Sequence, residues 1–496
     1  MTFDVHQLDL FVLVGAGVTL LAILAVRVSS RAGLPSLLLY LLMGVALGEN
    51  GVGINFENAE LAHALGFGAL ALILAEGGLT TSWPEVRPSM RLGLSLATVG
   101  VAVSVTVIAV IAHFVLGLSW QLAVLLGAIT SPTDAAAVFS VLRGLNVPPR
   151  LVGTLEAESG LNDAPTVVLV TLVSTGSVAE HGVLATALVI VFELVVGVLV
   201  GLAIGFAGAW LMRRAALPSS GLYPLSVLCL CLLAYGATAG MHASGFAAIY
   251  LAALVLGNSE LPHRTATRSF AEGVASLAQI GLFVMLGLLL TPGRITWSVV
   301  GVALVGSLVL TFVARPVTVW VSAAVRRMTA PELAFLSWAG LRGAVPIVLA
   351  TIPLAEGVSN SERLFDIVFV IVVISTVLTG PTLPWVAQRL GVTHQLEPRS
   401  LDLEVAPLER VAADMLQVTI SPVSQLHGVE VGELRLPEGS SVSMIVRDGR
   451  AIVPERRTVL RRGDDLLVVT PRRLREPTVA RLRTVSEYGR LGHWLD

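Results

Sequence analysis

The chain has 496 residues, of which 55% are hydrophobic and 13% are charged, and its formal net charge is −2. Soluble domains are about one quarter charged, so this composition excludes an ordinary globular protein and indicates a polytopic membrane protein. The small net charge gives no reason to expect a nucleic-acid partner. All 32 basic residues are arginine, which excludes sites that depend on lysine, such as a P-loop or a Schiff base.

Apolar runs of membrane-spanning length follow one another through most of the chain. They lie at 8–26, 34–48, 59–80, 90–116, 120–141, 151–176, 182–212, 221–240, 244–257, 267–290, 297–322, 331–355 and 363–388. We therefore expect an all-α membrane domain of about 13 transmembrane helices over residues 1–390. A polar linker, 391–402, then leads to a small α/β domain at 403–471 and a basic tail at 472–496.

The arginines between the apolar runs predict the orientation of the membrane domain. One set of alternate loops holds 14 arginines, whereas the other set holds only Arg294 and Arg363. The larger set is Arg27, Arg31, Arg87, Arg91, Arg143, Arg150, Arg213, Arg214, Arg264, Arg268, Arg326, Arg327, Arg389 and Arg399. Because arginine is retained on the cytoplasmic side, we expect the N-terminus outside and the C-terminus in the cytoplasm of a cell inner membrane.

The fifth apolar run contains the polar stretch "TSPTDAAAV". Pro132 cannot donate a backbone hydrogen bond, so it is expected to interrupt the helix at membrane depth. Free backbone groups are tolerated there only against protein or a polar cavity, where carbonyls can coordinate a small cation. Thr133 and Asp134 lie at this predicted break.

The sixth apolar run contains "ESGLNDAP", which places two carboxylates, a hydroxyl and an amide inside a predicted span. On a helix, Ser159 and Asp163 share one face, and Glu158 and Asn162 share the next. A single buried carboxylate can be a structural hydrogen-bonding group, but four such residues beside a broken helix indicate an ion or proton site. Oxygen ligands of this kind suit hard cations.

Two later runs place arginine inside the membrane. "WAGLRGAVPIV" carries Arg342 between two glycines and before a proline, and "VARPV" carries Arg315. A buried arginine needs an anion, so we expect Glu158 to pair with Arg342, with Arg315 as the alternative partner. Interruptions in the fifth and twelfth runs predict an inverted-repeat transporter with two broken helices, in which Asp134 and both arginines support the site.

The motifs "SPTDAAAV", "ESGLNDAPTVVL" and "GLRGAV", in this order, resemble the monovalent cation/proton antiporter family of the NhaP and Na⁺/H⁺ exchanger type. The resemblance covers residues 8–390 and implies an NhaA-like antiporter fold. It also implies a homodimer in which a six-helix core domain moves, like an elevator, against a dimerisation domain.

The resemblance further implies that Asp163 carries the transported ion. Ser159, Glu158 and the region of Thr133 would complete the site, and a monovalent cation would bind at Asp163, Ser159 and Thr133. Asn162 stands where some relatives have a second aspartate, and this Asn-Asp form implies electroneutral one-for-one exchange.

Residues 403–471 resemble a TrkA-C domain, the C-terminal half of potassium-conductance regulatory modules. "DMLQVTI" and "SVSMIV" alternate like strands, "RDGR" is typical of a turn, and "GD" precedes a final strand. No GxGxxG follows a strand, so we expect no nucleotide-binding half. The resemblance to the potassium branch favours K⁺, and it offers a cyclic dinucleotide as a candidate ligand of this domain.

We therefore expect a secondary antiporter that exchanges K⁺ for H⁺ by competition at Asp163, with no cofactor beyond the transported ions. A Na⁺/H⁺ antiporter is the alternative, since both cations accept the same oxygen ligands. A channel gated by the C-terminal domain is a weaker alternative, because the charges cluster at one depth rather than lining a pore. An enzyme is not expected, because the chain lacks a zinc motif, a GxSxG motif and lysine.

Overall fold

A computed structural model describes residues 5–32, 36–49, 51–54, 56, 58–142, 147–325, 328–393, 401–408, 413–421, 424–447 and 449–489. The chain divides into two compact units, Met1–Thr393 and His394–Asp496. The first unit is helical, and the second is built on a β-sheet.

The helices of the first unit follow the apolar runs of the sequence. In chain order they are α1 (Val5–Ala32), α2 (Ser36–Leu47), α3 (Ala59–Thr80), α4 (Trp83–Val86), α5 (Met90–Ser95), α6 (Val101–Phe114), α7 (Trp120–Thr130), α8 (Ala135–Val141), α9 (Pro149–Ser174), α10 (Ser177–Arg214), α11 (Leu222–Ala239), α12 (Gly245–Asn258), α13 (Arg264–Leu289), α14 (Trp297–Val309), α15 (Arg315–Ser322), α16 (Ala330–Trp338), α17 (Val345–Leu349), α18 (Thr351–Ala355), α19 (Ser361–Thr379) and α20 (Leu383–Arg389).

Within the described residues, six helical segments are long and apolar enough to cross a membrane, and a seventh is obtained if α19 and α20, bent by 44°, form one span. The six are Ala59–Thr80, Trp83–Phe114, Gly182–Arg214, Leu222–Ala239, Arg264–Leu289 and Trp297–Val325. Shorter apolar helices and interrupted helices occupy the other predicted runs. The fold is thus a multi-pass helical one, and the number of thirteen spans stays a prediction.

Two parts of the first unit repeat one order of elements. In the first part a π-helical turn at Leu96–Gly100 joins α5 to α6, the interrupted pair α7 and α8 follows, and the long helix α9 comes last. In the second part a π-helical turn at Leu310–Ala314 joins α14 to α15, an interruption separates α16 from α17, the short helix α18 follows, and the long helix α19 comes last. Such an order is what an internal repeat produces, and its inverted orientation stays a prediction.

The second unit contains a five-stranded antiparallel sheet with the order β1-β2-β5-β3-β4. The strands are β1 (Leu401–Leu408), β2 (Ala413–Ile420), β3 (Ser441–Arg447), β4 (Arg450–Ile452) and β5 (Asp465–Pro471). The two quoted strand patterns coincide with β2 and β3, and the predicted turn at 447–450 joins β3 to β4, although Asp448 lies outside the described residues.

A final helix, α21 (Arg475–Tyr488), covers this sheet. Its Leu482 and Val485 are buried in the same apolar core as Leu416 of β2 and Leu466 of β5. The helix lies in the segment that the sequence assigned to a basic tail, and its apolar contacts make it part of the domain. The amphipathic pattern of a helix such as α21 shows that it has an apolar face, but it does not show which surface that face covers.

The Gly463–Asp464 pair of the second unit lies at a turn, and its aspartate forms a buried ion pair. Gly463 has φ +80°, a left-handed conformation that favours glycine, and it turns the chain into β5. The Asp464 carboxylate is fully buried and accepts from Arg447 Nε at 2.8 Å and from Arg447 Nη2 at 2.7 Å. It also accepts from the Arg461 amide at 2.8 Å, so this aspartate joins β3 to the turn before β5.

Arg447→Ala should loosen β3 and β5, because it leaves the Asp464 carboxylate buried without its cation. Removal of one partner of a buried pair costs about 3–5 kcal/mol. Hydrogen exchange of the full-length protein, followed by mass spectrometry, should show faster exchange in peptides of both strands. The exposed Arg450 provides the control, since Arg450→Ala should leave the same peptides unchanged. Equal exchange in the two variants would show that the pair does not stabilise the sheet.

Candidate functional site

Two interrupted helices meet inside the first unit. The first interruption lies between Thr130, the last residue of α7, and Ala135, the first of α8. The second lies between α16 and α17, and the two are joined directly, because the Asp134 amide donates to the Leu341 carbonyl at 2.9 Å. One backbone donor released by the first break thus meets a backbone acceptor of the second, which is favourable where no water is available.

The carbonyl end of α7 is satisfied mostly by nearby side chains. The Thr130 hydroxyl donates to the Leu126 carbonyl at 2.6 Å, and the Ser131 hydroxyl donates to the Gly127 carbonyl at 2.7 Å. Arg342 Nε, from the second break, donates to the Thr130 carbonyl at 3.2 Å. A guanidinium at a helix C-terminus offsets the negative end of the helix dipole.

Asp134 holds the amide end of the short helix α8. Its Oδ1 accepts from the Ala137 amide at 3.2 Å, which is the usual role of an N-cap residue. Gly343 of the second break lies so close that a Cβ on it would overlap the Asp134 carboxylate. Only glycine therefore permits this approach of the two breaks.

The uninterrupted helix α9 passes beside the breaks. Glu158, Asn162 and Asp163 are buried, and Ser159 is half-buried. Pro165 lies within the helix and removes one helical donor. The hydroxyl of Thr166 donates to the carbonyls of Asn162 at 2.9 Å and Asp163 at 2.8 Å, which supports the backbone at this point.

Asn162 connects α9 to the first break, because its Nδ2 donates to Thr133 Oγ1 at 3.1 Å. Asn162 Oδ1 and Asp163 Oδ1 are both buried, and neither accepts a hydrogen bond from any residue that the structure describes. Two oxygen acceptors without donors, beside a hydroxyl, form a donor set that suits a proton or a hard monovalent cation. The structure thus places Asn162 against Thr133, with Asp163 one residue along the same helix.

Glu158 pairs with Arg315 and not with Arg342. Arg315 Nη2 donates to Glu158 Oε2 at 2.8 Å, and Nη1 donates to Oε1, so the contact is bidentate and buried on both sides. Of the two partners that the sequence offered, the structure shows the alternative, Arg315, and not Arg342, whose guanidinium donates to the carbonyls of Thr130 and Gly340. Sequence reasoning assumed that a buried arginine needs a carboxylate, but helix-terminal carbonyls can also solvate it.

A further carboxylate, Glu76 of α3, lies within electrostatic range of Asp134. Glu76 accepts from the Thr80 hydroxyl at 3.3 Å, and Asp134 is among the charges that act on it. Asp134 acts on Asp163 as well. The sequence alone does not place Glu76 near Asp134, because spacing along the chain does not show which helices pack together.

Comparison with known proteins identifies the family. The model of the sodium/hydrogen exchanger transmembrane domain matches residues 17–389, and that of the TrkA-C domain matches residues 415–476. The chain belongs to the sodium/hydrogen exchanger family. It is 35% identical over 474 residues to the K⁺/H⁺ antiporter NhaP of Alkalimonas amylolytica, covering 94% of this chain and 82% of that protein.

Other relatives carry related names. The K⁺/H⁺ antiporter NhaP2 of Shewanella oneidensis is 34% identical, with the same coverage, and the Na⁺/H⁺ antiporter NhaH of Halobacillus dabanensis is 26% identical over 65% of this chain and 82% of its own length. The sodium proton antiporter MjNhaP1 of Methanocaldococcus jannaschii has the same fold, with a TM-score of 0.65 at 21% identity over 77% of this chain and 99% of that one. The protein is thus a multi-pass monovalent cation/proton antiporter and a transporter rather than an enzyme, as the sequence predicted.

Arg315→Leu should prevent stable folding, because it strands Glu158 as an unpaired buried charge at a cost of about 3–5 kcal/mol. The double variant Glu158→Leu/Arg315→Leu should recover much of the thermal stability, measured as the unfolding midpoint in detergent. The matched combination Glu158→Leu/Arg342→Leu should show no recovery over its single variants. If the unfolding midpoint recovered in Glu158→Leu/Arg342→Leu instead, the pairing of Glu158 with Arg315 would be contradicted.

Gly343→Ala should abolish exchange, because the new methyl group displaces Asp134 and separates the two breaks. The control is Gly301→Ala on α14, where a Cβ meets no atom within 4 Å and exchange should persist. Transport in membrane vesicles and a size-exclusion profile of each variant would separate loss of function from loss of fold. Normal exchange by Gly343→Ala would show that the breaks do not need this close contact.

Proposed function

We propose that this antiporter exchanges K⁺ for H⁺ across the cell inner membrane at a single site centred on Asp163. The observation that carries the proposal is the buried Asp163 carboxylate, whose Oδ1 accepts from no described residue. The neighbouring carboxylate, Glu158, is instead paired with the Arg315 guanidinium.

Competition at Asp163 would couple the two ions. Insertion of an unpaired charged side chain near the bilayer centre costs at least about 2.5–3.5 kcal/mol of free energy, the value given by the scales with the smallest penalty. A bound proton or a bound monovalent cation neutralises the carboxylate, whereas the empty anion is held back. One carboxylate with two alternative ligands exchanges one cation for one proton, so the cycle is electroneutral and needs no separate coupling device.

The hydrogen bonds around the site support movement of the core as one block. Glu158 ties α9 to α15, and Asn162 ties α9 to the first break. The Asp134 amide ties the first break to the second, and the Thr376 hydroxyl of α19 donates to the Arg342 carbonyl at 3.3 Å. These connected elements would carry Asp163 across the membrane in an elevator-type cycle within a homodimer.

The preference for K⁺ is supported by the relatives named K⁺/H⁺ antiporters, which are 34–35% identical over 94% of this chain. Na⁺ is the alternative, supported by the less similar NhaH and by the fact that oxygen ligands accept both cations. The arginine distribution supports an outside N-terminus and a cytoplasmic C-terminus. A regulatory role for the TrkA-C unit, with a cyclic dinucleotide as candidate ligand, rests on the resemblance alone.

Asp163→Asn should abolish exchange while leaving the protein folded, since asparagine can neither release a proton nor balance a cation. Inverted vesicles would be acidified, and the lumenal pH followed by a fluorescent dye as K⁺ or Na⁺ is added. The exposed Asp9 gives the matched control, and Asp9→Asn should respond as the wild type does.

A rise in pH evoked by K⁺, absent in Asp163→Asn, is the expected result. A response to Na⁺ alone would keep the site and contradict the cation preference. Retained pH-coupled transport in Asp163→Asn would remove this aspartate from the mechanism. Conductance far above the turnover of a transporter would favour the channel.

A further inference from the structure

His63 of α3 makes a hydrogen bond that the proposed site does not use. Its Nδ1 lies 3.3 Å from Oγ1 of Thr351, the first residue of α18, and the Thr351 side chain is buried. The Thr351 hydroxyl has one proton, which it donates to the Val348 carbonyl at 2.6 Å. Towards His63 the Thr351 oxygen is therefore the acceptor, and the histidine Nδ1 is the donor.

Aromatic contacts hold the His63 ring on its own side of this hydrogen bond. Phe67 lies one turn along the same face of α3, and the two ring centroids are 4.2 Å apart. Phe67 in turn meets Phe246 of α12 edge to face, with centroids 5.2 Å apart. Helix α3 also packs along both α12 and α13. The histidine ring is thus positioned by α3 and α12, while its Nδ1 reaches across to α18.

Thr351 belongs to the elements that are connected to Asp163. Helix α18 follows the second break through α17, and it packs against α9, the helix that carries Asp163. Within the described part of the chain, no second side-chain hydrogen bond joins α3 to α9, α15, α17, α18 or α19. The contact between His63 and Thr351 therefore links the network around Asp163 to a helix outside that network.

The rest of this contact surface is apolar. One turn along α3 from His63, a Cβ added to Gly66 would lie 3.1 Å from Val348 Cγ1, so glycine lets α3 lie close to α17. Apolar contacts are not directional, and a helix that slides past its neighbour can exchange one for the next. A hydrogen bond requires a defined distance and angle, so the same sliding must break it.

We propose that His63 is a positioning residue of the exchange cycle, whose hydrogen bond to Thr351 stabilises the access state of this structure relative to the opposite one. The inference rests on the proposed function, because it presumes that the elements around Asp163 move past α3. A hydrogen bond of ordinary strength changes the ratio of two states about fivefold. Because apparent affinity follows the population of the competent state, loss of the bond should change KM on the two membrane faces in opposite directions.

Two substitutions of one histidine separate the hydrogen bond from the rest of the side chain. His63→Asn keeps a nitrogen donor as many bonds from Cβ as Nδ1, whereas His63→Gln moves it one bond further. KM for K⁺ and for Na⁺ would be measured on each face, in right-side-out and in inverted vesicles. His63→Gln should change the ratio of the two KM values about fivefold, and His63→Asn should keep the wild-type ratio.

Two further variants complete the test. Thr351→Val removes the acceptor and should change the KM ratio in the same direction as His63→Gln does. His113→Gln is the matched control, because the Nδ1 of half-buried His113 bonds to the Leu118 carbonyl of its own segment, at 2.8 Å. This control should keep the wild-type ratio, since its bond does not join α3 to the elements around Asp163.

The outcomes distinguish this inference from the proposed function. An unchanged KM ratio in both His63→Gln and Thr351→Val, or changes of the same sign on both faces, would overturn the role of His63 and leave exchange at Asp163 intact. An equal change in His63→Asn and His63→Gln would also overturn it, because the donor would then not matter. Absence of any K⁺- or Na⁺-dependent exchange by the wild type would instead contradict the proposed function itself.

Discussion

The cost of an unpaired charge in a medium of low dielectric governs this structure. Glu158 is stabilised by the bidentate contact with Arg315, and Arg342 by the carbonyls of two helix ends. Each of these charges has a fixed partner of opposite sign or dipole. Asp163 is different, since its Oδ1 is buried and accepts from no described residue. Of these three side chains, Glu158 and Arg342 are thus neutralised by fixed groups of the fold, whereas the Asp163 Oδ1 has no donor among the described residues.

Backbone chemistry makes that arrangement possible. A helix broken at membrane depth exposes donors and acceptors that need partners, and here the two breaks satisfy each other through Asp134 and Leu341. The close approach depends on Gly343, and the released carbonyls of α7 are used by hydroxyls and by one guanidinium. A separate hydrogen bond, from Asn162 to Thr133, connects the first break to α9, so the packing of that break and the position of the neighbouring Asp163 are linked.

The sequence predicted most residues of the candidate site, because a charged residue inside an apolar run has few explanations. Expensive residues such as Asp163 stand out against their surroundings, and their spacing on a helix fixes which of them share a face. The pairing of Glu158 was not predictable, because two arginines were available and only tertiary packing decides which guanidinium meets a carboxylate. The same limit applies to Glu76, which lies on α3, a helix distant in the chain from the two breaks. The sequence assigns residues 472–496 to a basic tail, because the charges of this segment are more evident than the two apolar residues that α21 buries, Leu482 and Val485.

The central claim is that one carboxylate binds either a proton or a cation. It is tested most directly by adding K⁺ to the purified, weakly buffered protein and measuring the protons released, since competition requires that binding of one ligand displaces the other. The account predicts release of about one proton per bound cation in the wild type and none in Asp163→Asn. Cation binding without proton release, or equal release by Asp163→Asn, would contradict it.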